Sequence, residues 1–335
     1  MKISIAMATF NGAAFLPTQL ASFATQTRLP DELVVTDDRS TDATPEIIRA
    51  FAASAPFPVR LEVNPENLGF ALNFSRALSL TTGDLVFLSD QDDLWMDHKI
   101  ATMVDLADRL PGKVCFLNDA SFADGDLVPL GTTKMEQIRK LGLPDTAFVM
   151  GCCVAVRRAY LDFILPVPPS ILGHDVWIVT TSDALGLSER LPLPLQAYRR
   201  HRGNLSNLRF NWTRSESLKT TLKQVAIRLS DLLSDVRLRR ELAFYQSLNS
   251  RLTMNLAPTA GGFNVDGGTK EKIRRREDVL TRRSALRRMG PGQRVRELTA
   301  LYREGEYDFR NGVLVAIKDL FLTEPAVRRE AQKER

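Results

Sequence analysis

Four short strand-like runs in the first ninety residues, 3–7, 33–36, 59–63 and 85–88, alternate with helical patterns and short polar links. The first is followed by the turn pair Asn11-Gly12 and then by apolar residues at 15, 16, 20 and 23, a helical spacing. The second is followed by Ser40-Thr-Asp-Ala-Thr-Pro-Glu46, cap residues ahead of a helix reaching about residue 53. The third leads through the loop 64–69 into a helix over 70–80. The fourth, Leu85-Val-Phe-Leu88, has no polar alternation and reads as a strand buried on both faces. Strand, helix, strand, helix with short links predicts an α/β fold with a mostly parallel sheet covered by helices on both faces.

In such sheets ligands gather beyond the carboxyl ends of the strands. Asn11, Asp37 and Asp38, and Asp90 and Asp92 all fall at those ends. The stretch Ser89-Asp-Gln-Asp-Asp93 also crowds three carboxylates together, which repel one another unless a cation sits among them. Hard carboxylate oxygens suit Mg2+ or Mn2+ shared with ligand phosphates. Taken alone, the same tripeptide reads equally well as an acidic surface turn. The shared strand-end position favours a site.

Beyond residue 97 the spacing predicts a helix over 98–110, closed by Pro111-Gly112, and a strand over 113–117. A hairpin turn is expected at Asp124-Gly125, a strand over 148–156, a helix opening at Gly173-His-Asp-Val-Trp177 and a strand over 193–198. Three cysteines, two of them adjacent at 152 and 153, form no spaced framework, so a reduced compartment is expected and zinc is not. The first residues lead straight into a strand without a signal segment, and no apolar run approaches the roughly 18 residues of a membrane span. These features point to the cytoplasm.

Charge divides the chain. Residues 211–335 hold 26 Lys+Arg and 16 Asp+Glu, a net of +10, and the first 210 hold 19 and 24, a net of −5. Two modules are therefore expected: a catalytic domain over 1–210, with halves 1–97 and 98–210, and a basic helical region over 211–335.

Six fragments in order carry a resemblance: Ala8-Thr-Phe-Asn-Gly12, Asp37-Asp-Arg-Ser-Thr-Asp42, Asn67-Leu-Gly-Phe-Ala-Leu-Asn73, Ser89-Asp-Gln-Asp-Asp-Leu-Trp95, Gly173-His-Asp-Val-Trp177 and Tyr198-Arg-Arg-His-Arg-Gly-Asn204. Together they resemble the family-two glycosyltransferases of GT-A fold, in particular the bacterial polysaccharide branch that includes rhamnosyltransferases. Ala8, Phe10 and Arg39 stand where that family more often has Pro, Tyr and Gly, and Arg202 interrupts the His-Gly-Asn-Asn loop.

The resemblance implies an inverting, metal-dependent transfer from a nucleoside diphosphate sugar (UDP- or dTDP-linked, with dTDP-rhamnose among the candidates) to a glycan acceptor of bacterial surface polysaccharide. It implies Asp92, Asp90 and His201 as ligands for Mn2+ or Mg2+, with Gln91 between the two carboxylates and Asp93 steadying the loop. Asp90 is placed near the ribose or the metal, and Asp38 would accept a hydrogen bond from a pyrimidine N–H. Thr9, Asn11, Asn67, Gly69 and Asn73 would line the nucleotide cleft. Asp175 is implied as the general base, and His174 and Trp177 as walls of an acceptor and sugar pocket. Plainer readings stand beside these: helix capping for Asp37, Asp38 and Asp175, and a local hydrogen bond for His201.

In the basic region, apolar residues at 218, 222, 225, 229, 232 and 236 suggest a helix seam for packing or for a homo-oligomer, and 255–268 reads as a mobile loop. The arginines of 270–296 read by default as a solvated helix, since no aromatic interleaving supports nucleic acid. Peripheral contact with anionic lipid is the sharper alternative, joined to a lipid-linked acceptor and the inner face of the cytoplasmic membrane, and 312–322 could serve as an interfacial helix or pack on the catalytic domain. A different class of function, a catalytically silent nucleotide-sugar scaffold or sensor, would have no need of both Asp92 and Asp175.

Overall fold

The computed structural model describes residues 1–171, 173–201, 204, 235–254, 263–308 and 312–321. The chain divides into two compact units, Met1–Thr213 with Leu256–Val265, and Arg214–Asn255 with Asp266–Arg335.

The first unit is built on a nine-stranded sheet. Its strands are β1 (Ile3–Thr9), β2 (Glu32–Asp37), β3 (Val59–Val63), β4 (Leu85–Ser89), β5 (Leu94–Trp95), β6 (Cys115–Ala123), β7 (Pro129–Thr133), β8 (Val154–Arg157) and β9 (Ser188–Arg199). They lie in the order β3-β2-β1-β4-β8-β6-β9-β5, with β7 paired to β6. The first four are mutually parallel. β8 runs against β4 and β6, β9 runs with β6, and β5 and β7 are antiparallel to their neighbours. Six strands therefore share one direction, as the alternation of elements predicts.

Helices α1 (Leu16–Ala24), α2 (Thr44–Ala52), α3 (Phe70–Leu80), α4 (Lys99–Arg109), α5 (Lys134–Lys140), α6 (Arg158–Ile164) and α7 (His174–Ala184) complete the unit. Ile3, Ile5, Met7, Leu33, Val35, Leu85 and Phe87 are fully buried, and one face of the sheet packs them against Leu16, Leu20, Phe23, Ile100 and Met103. Each such side chain contributes about 1.5–3 kcal/mol on burial. Trp95 lies in the same core, edge-on to Phe23 at 4.7 Å.

The second half of the unit departs from the expected pattern in several places, among them the unexpected helix α6 and the early start of β9 at Ser188. The apolar run 148–156 is not a continuous strand: Gly151–Cys153 form a 3-10 turn and only Val154–Arg157 pair. The strand expected over 113–117 is instead Cys115–Ala123. Helix α5 was not anticipated, although Thr133 and Glu136 form a reciprocal capping box that the sequence could have shown.

The second unit contains α8 (Asp235–Thr253), α9 (Gly267–Ala285), α10 (Pro291–Arg303) and α11 (Gly312–Phe321). Of the expected seam only Val236 is described, in α8; 218–232 lie outside the described residues. Of the expected loop, 255–262 lie outside them too, while Gly267 and Gly268 already belong to α9. The arginines are not simply solvated. Arg276 pairs with Glu241 and Glu306, Arg282 with Glu297 and Glu304, and Arg283 with Asp319. They tie α8, α9, α10 and α11 together around Val279, Leu286, Leu301, Tyr307 and Val315.

Candidate active site

The carboxyl ends of β2, β1 and β4 lie side by side, because Thr9 pairs with Asp37 and Met7 with Ser89 in parallel register. Every loop that the sequence singled out in 1–97 leaves from this edge. Asn11 takes a left-handed φ of 47°, and its Oδ1 accepts a hydrogen bond from Thr41 N at 2.8 Å. Its own N–H donates to Ser40 Oγ at 2.8 Å, which joins the first two loops. The Gln91 amide holds the first loop to the third: Oε1 accepts from Phe10 N (2.9 Å) and Nε2 donates to Phe10 O (3.0 Å). A Cβ at Gly12 would come within 2.2 Å of Gln91 Oε1, so a side chain there would displace the Gln91 amide.

Several residues expected to face a nucleotide are spent on building the cleft. The Asp38 carboxylate is buried and accepts from Asn64 Nδ2 (2.8 Å), Leu68 N (2.7 Å) and Gly69 N (2.8 Å). It fixes the loop that carries Asn67 and Gly69. Asn73 is likewise buried, with Nδ2 donating to Thr36 O (2.9 Å) and Oδ1 accepting from Asn64 Nδ2 (2.9 Å). Thr9 donates its hydroxyl to Asp37 Oδ2 at 2.8 Å and is buried. Asp37 also accepts from Ser40 N, a local turn in the loop before α2 rather than a helix cap, since Ala43 is the N-cap of that helix. What remains open to solvent along this edge is Asn11, Asn67 and the partly exposed Gly69 and Gln91. Asn67 Nδ2 donates to Asp38 O at 3.2 Å. Gly69 has φ 78° and open space where a side chain would stand.

The acidic stretch after β4 is divided by its surroundings. Asp93 is buried and accepts from Gln196 Nε2 (3.0 Å) and Arg199 N (3.2 Å) on β9, so it anchors the loop, as expected. Asp92 faces the other way: its Oδ2 lies 2.8 Å from His201 Nε2 and accepts from Asn204 Nδ2 at 3.2 Å. His201 in turn packs on the Phe15 ring, centroids 4.3 Å apart. Asp90, partly exposed, has its carboxyl raised to about 7 by burial and by the nearby charges of Asp92 and Asp175.

Residues the sequence reading did not single out stand behind these acids. Lys99 is buried, donates to Cys152 O at 2.9 Å and to Gln196 Oε1, and lies 3.9 Å from the Trp95 ring centroid. Burial holds its pKa down to about 8 against the pull of neighbouring groups that include Asp93 and Asp90. Arg199 donates through Nε to Asp92 O at 2.8 Å. The one available signal was Gln196, a lone amide in an otherwise apolar strand end; Lys99 at a helix start reads as an ordinary surface residue.

A divalent cation fits the charge of this acid group. Asp90, Asp93 and Cys152 present ligand atoms within 4.8 Å of one another. Cys152 is a soft ligand with its thiol pKa well raised, and Asp93 is already hydrogen-bonded, so neither suits a hard cation. Asp90, by contrast, carries like-charge repulsion that a cation would relieve. The expected donors Asp90, Asp92 and His201 do not form such a group among the described residues, and Asp92 Oδ2 is engaged by His201 and Asn204.

Helix α7 brings Asp175 to the same place. Gly173 precedes its first turn, and Asp175 is partly exposed and close enough to raise Asp90. The helix start packs directly on the 3-10 turn: a Cβ on Gly151 would come within 2.8 Å of His174 Nε2 and 3.3 Å of Asp175 Cβ. This is why the run 148–156 turns at Gly151. His174 and Trp177 do not wall an open pocket. Trp177 is fully buried with Nε1 donating to Ile164 O at 2.9 Å. His174 is 4% exposed, stacked on Phe74 at 3.9 Å, and burial lowers its pKa to about 4. Both are core residues that hold Asp175 in position. The large apolar groove beside α1, lined by Pro17, Leu20, Ile47 and Phe51, involves none of these residues.

Residues 4–165 match the model of the family described as Glycosyl transferase family 2. Among curated relatives, the uncharacterised protein Rv1520 of Mycobacterium tuberculosis is 30% identical over 209 residues, 59% of this chain and 59% of that protein. The chain thus spans about three fifths of the length of that relative. The dTDP-rhamnosyl transferase RfbG of Shigella flexneri is 34% identical over 103 residues, 30% of this chain and 36% of its own. Among solved structures, TarS 1-349 of S. aureus in complex with UDP-GlcNAc superposes with a TM-score of 0.53 at 16% identity, covering 99% of this chain and 92% of that one. The mannosyltransferase PcManGT from Pyrobaculum calidifontis, in complex with GDP-Man and Mn2+, gives 0.50 at 16% identity over 100% and 88%.

Proposed function

We propose that this chain, whose residues 4–165 match the Glycosyl transferase family 2 model, is a glycosyltransferase that transfers a sugar from a nucleoside diphosphate donor to a glycan acceptor with inversion at the anomeric carbon. The observation that carries the reading is the meeting of Asp90, Asp92 and Asp175 at one sheet edge, where burial first and then the charges of Asp92 and Asp175 raise Asp90 to about 7. The acceptor oxygen forms a bond to the anomeric carbon as the bond to the diphosphate breaks. The departing electron pair leaves with the diphosphate, and Asp175 takes the acceptor proton. A bound Mn2+ or Mg2+, held by Asp90, Asp92 and His201, would neutralise the diphosphate.

The chain's own residues do the positioning. Gln91 ties the acidic loop to the loop bearing Asn11, Asp38 holds Asn67 and Gly69 at the open edge, and Lys99 braces the ground behind the acids through Cys152 O and Gln196. Gly69, with no side chain, lets a nucleotide approach the start of α3 closely. The partial likeness to a dTDP-rhamnosyl transferase makes dTDP- and UDP-sugars the first donors to try, and bacterial surface polysaccharide the product class. The reading includes residues 1–210 as the catalytic domain, work at the cytoplasmic face of a membrane, and membrane contact or self-association through 211–335. Among the described residues no helix is long and apolar enough to cross a membrane.

Calorimetric titration with dTDP, UDP and GDP, with Mn2+ and with chelator, tests the site. One diphosphate is expected to bind at least tenfold more tightly with Mn2+ than with chelator. Equal binding in both conditions would remove metal from the account, and no binding of any diphosphate would remove the donor.

A further inference from the structure

His174 and Trp177 are buried, so neither supplies the aromatic wall expected beside Asp175. An exposed ring stands there instead. Phe70, the first residue of α3, is 47% exposed, although Phe74 on the same helix is buried and stacked on His174. The two phenylalanines are four residues apart and so share one face of α3. Phe70 meets the His174 ring edge-on, with centroids 6.2 Å apart, at the start of α7. Val176, in the first turn of α7, is 43% exposed. These groups converge on Gly173. A Cβ there would lie 2.6 Å from Asp175 Oδ1, 3.7 Å from Val176 Cγ2 and 3.8 Å from Phe70 Cε2. Asp175 therefore has an apolar wall beside its carboxylate, built from the starts of two helices.

Single exposed apolar side chains are ordinary on a protein surface. What gives this pair a role is its distance from the chemistry. The acceptor hydroxyl must come within about 2.6–3.2 Å of Asp175, and the anomeric carbon stands about 3–3.5 Å beyond that oxygen. A pyranose placed in that way lies against Phe70, whose Cε2 and the Asp175 carboxylate are both within 4 Å of one point. Chain order decides which sugar this is. Phe70 directly follows Gly69, whose φ of 78° and empty side-chain space leave the nucleotide edge open, and Asn67 lies just before. The sugar joined covalently to the diphosphate is therefore the one that passes Phe70 to reach Asp175. An aromatic face covers the C–H side of a pyranose and keeps water from competing for the anomeric carbon.

We propose that Phe70, flanked by Val176, is the apolar wall of the donor-sugar subsite and holds the sugar's C–H face toward Asp175. The proposal rests on the functional reading above and names the sugar contact within it. It is tested by calorimetry on the full chain with Mn2+, for the parent, Phe70→Ser and Phe70→Tyr. The probes are dTDP and UDP, and the sugar-linked dTDP-rhamnose, dTDP-glucose, UDP-glucose and UDP-N-acetylglucosamine. Phe70→Ser is expected to weaken the sugar-linked probe that binds the parent about fivefold, and to leave its bare diphosphate within about twofold. Phe70→Tyr keeps the ring and is expected to bind both as the parent does. Should the serine variant lower stability, Phe70→Leu keeps apolar bulk without the flat face, and a selective loss of at least threefold is expected. A merely structural role would move diphosphate and sugar-linked probe together, and that result overturns the proposal. Unchanged binding of both overturns it too. Failure of every diphosphate to bind the parent removes the functional reading itself, and the wall with it. Normal diphosphate binding without a selective loss removes the wall alone.

Discussion

Replacing Asp175 by Asn is expected to lower kcat by roughly 10³-fold while leaving donor binding within about twofold of the parent. The substitution conserves shape. Among the described residues Asp175 Oδ1 accepts from Val176 N, at 2.8 Å, and an amide oxygen can do the same at the start of α7. Helix position, the packing of Gly151 against His174 and the shape of the cleft should all persist. What is lost is the ability to take the acceptor's proton as the new bond forms, together with one of the charges that raise Asp90. Steady-state kinetics with a saturating donor measure the first loss. A fall of less than tenfold would make Asp175 a capping residue and send the search for the base elsewhere.

Asp90→Asn is expected to act in opposite directions on activity and stability. In the folded protein the Asp90 carboxyl is raised to about 7 from an ordinary value of 3.8, by burial first and then by Asp92 and Asp175. Between those two values the folded chain holds a proton that the unfolded chain has released. Stability therefore falls as pH rises through this window, and the penalty is complete above pH about 7. Asn carries no charge and escapes it. Without metal, the variant should be more stable than the parent by about 2–4 kcal/mol above that pH, and no different below pH about 4. Urea unfolding with chelator across this range checks the sign. Mn2+ should close the gap by stabilising the parent alone, and turnover of the variant should drop at least 10²-fold. A variant less stable than the parent at high pH would mean that Asp90 is hydrogen-bonded as a carboxylate rather than strained.

The first half of the site was legible in the sequence because parallel strands buried on both faces are written as continuous apolar runs. Runs such as Leu85–Leu88 leave little choice of element, and the residues that follow them must emerge at one edge. Asp90, Asp92, Asn11 and the 64–69 loop were placed in that way, and helix 70–80 is observed with those bounds. What the residues do at that edge was less legible, because a sequence does not say which polar atoms are already spent. Asp38 and Asn73 look like ligands in one dimension and prove to be buried hydrogen-bond hubs for the 64–69 loop. Trp177 looks like a sugar platform until its indole is found inside the core, bonded to Ile164.

The second half was harder for a related reason. Its strands pair with partners far away in the chain, and its polar groups act at long range. Lys99 meets Gln196 across 97 residues, and Arg199 meets Asp92 across 107. Neither spacing leaves a local pattern. The 3-10 turn at Gly151 arises from contact with α7, more than twenty residues later, so the apolar composition of 148–156 pointed to a strand. The arginines of α9 illustrate the same limit, since Glu241, Glu297, Glu304 and Glu306 lie 15 to 35 residues from their partners.

The central claim is that the acidic edge of this sheet holds a metal and splits a nucleoside diphosphate from a sugar. Its most direct test is release of nucleoside diphosphate from a panel of UDP-, dTDP- and GDP-sugars, with Mn2+ or chelator, for the parent and for Asp92→Ala. The account predicts release from one donor class that requires the metal and falls at least 10²-fold in the variant. Release that persists in chelator and in Asp92→Ala would contradict it, and tight donor binding without any release, acceptors included, would leave a protein that senses nucleotide sugars instead of consuming them.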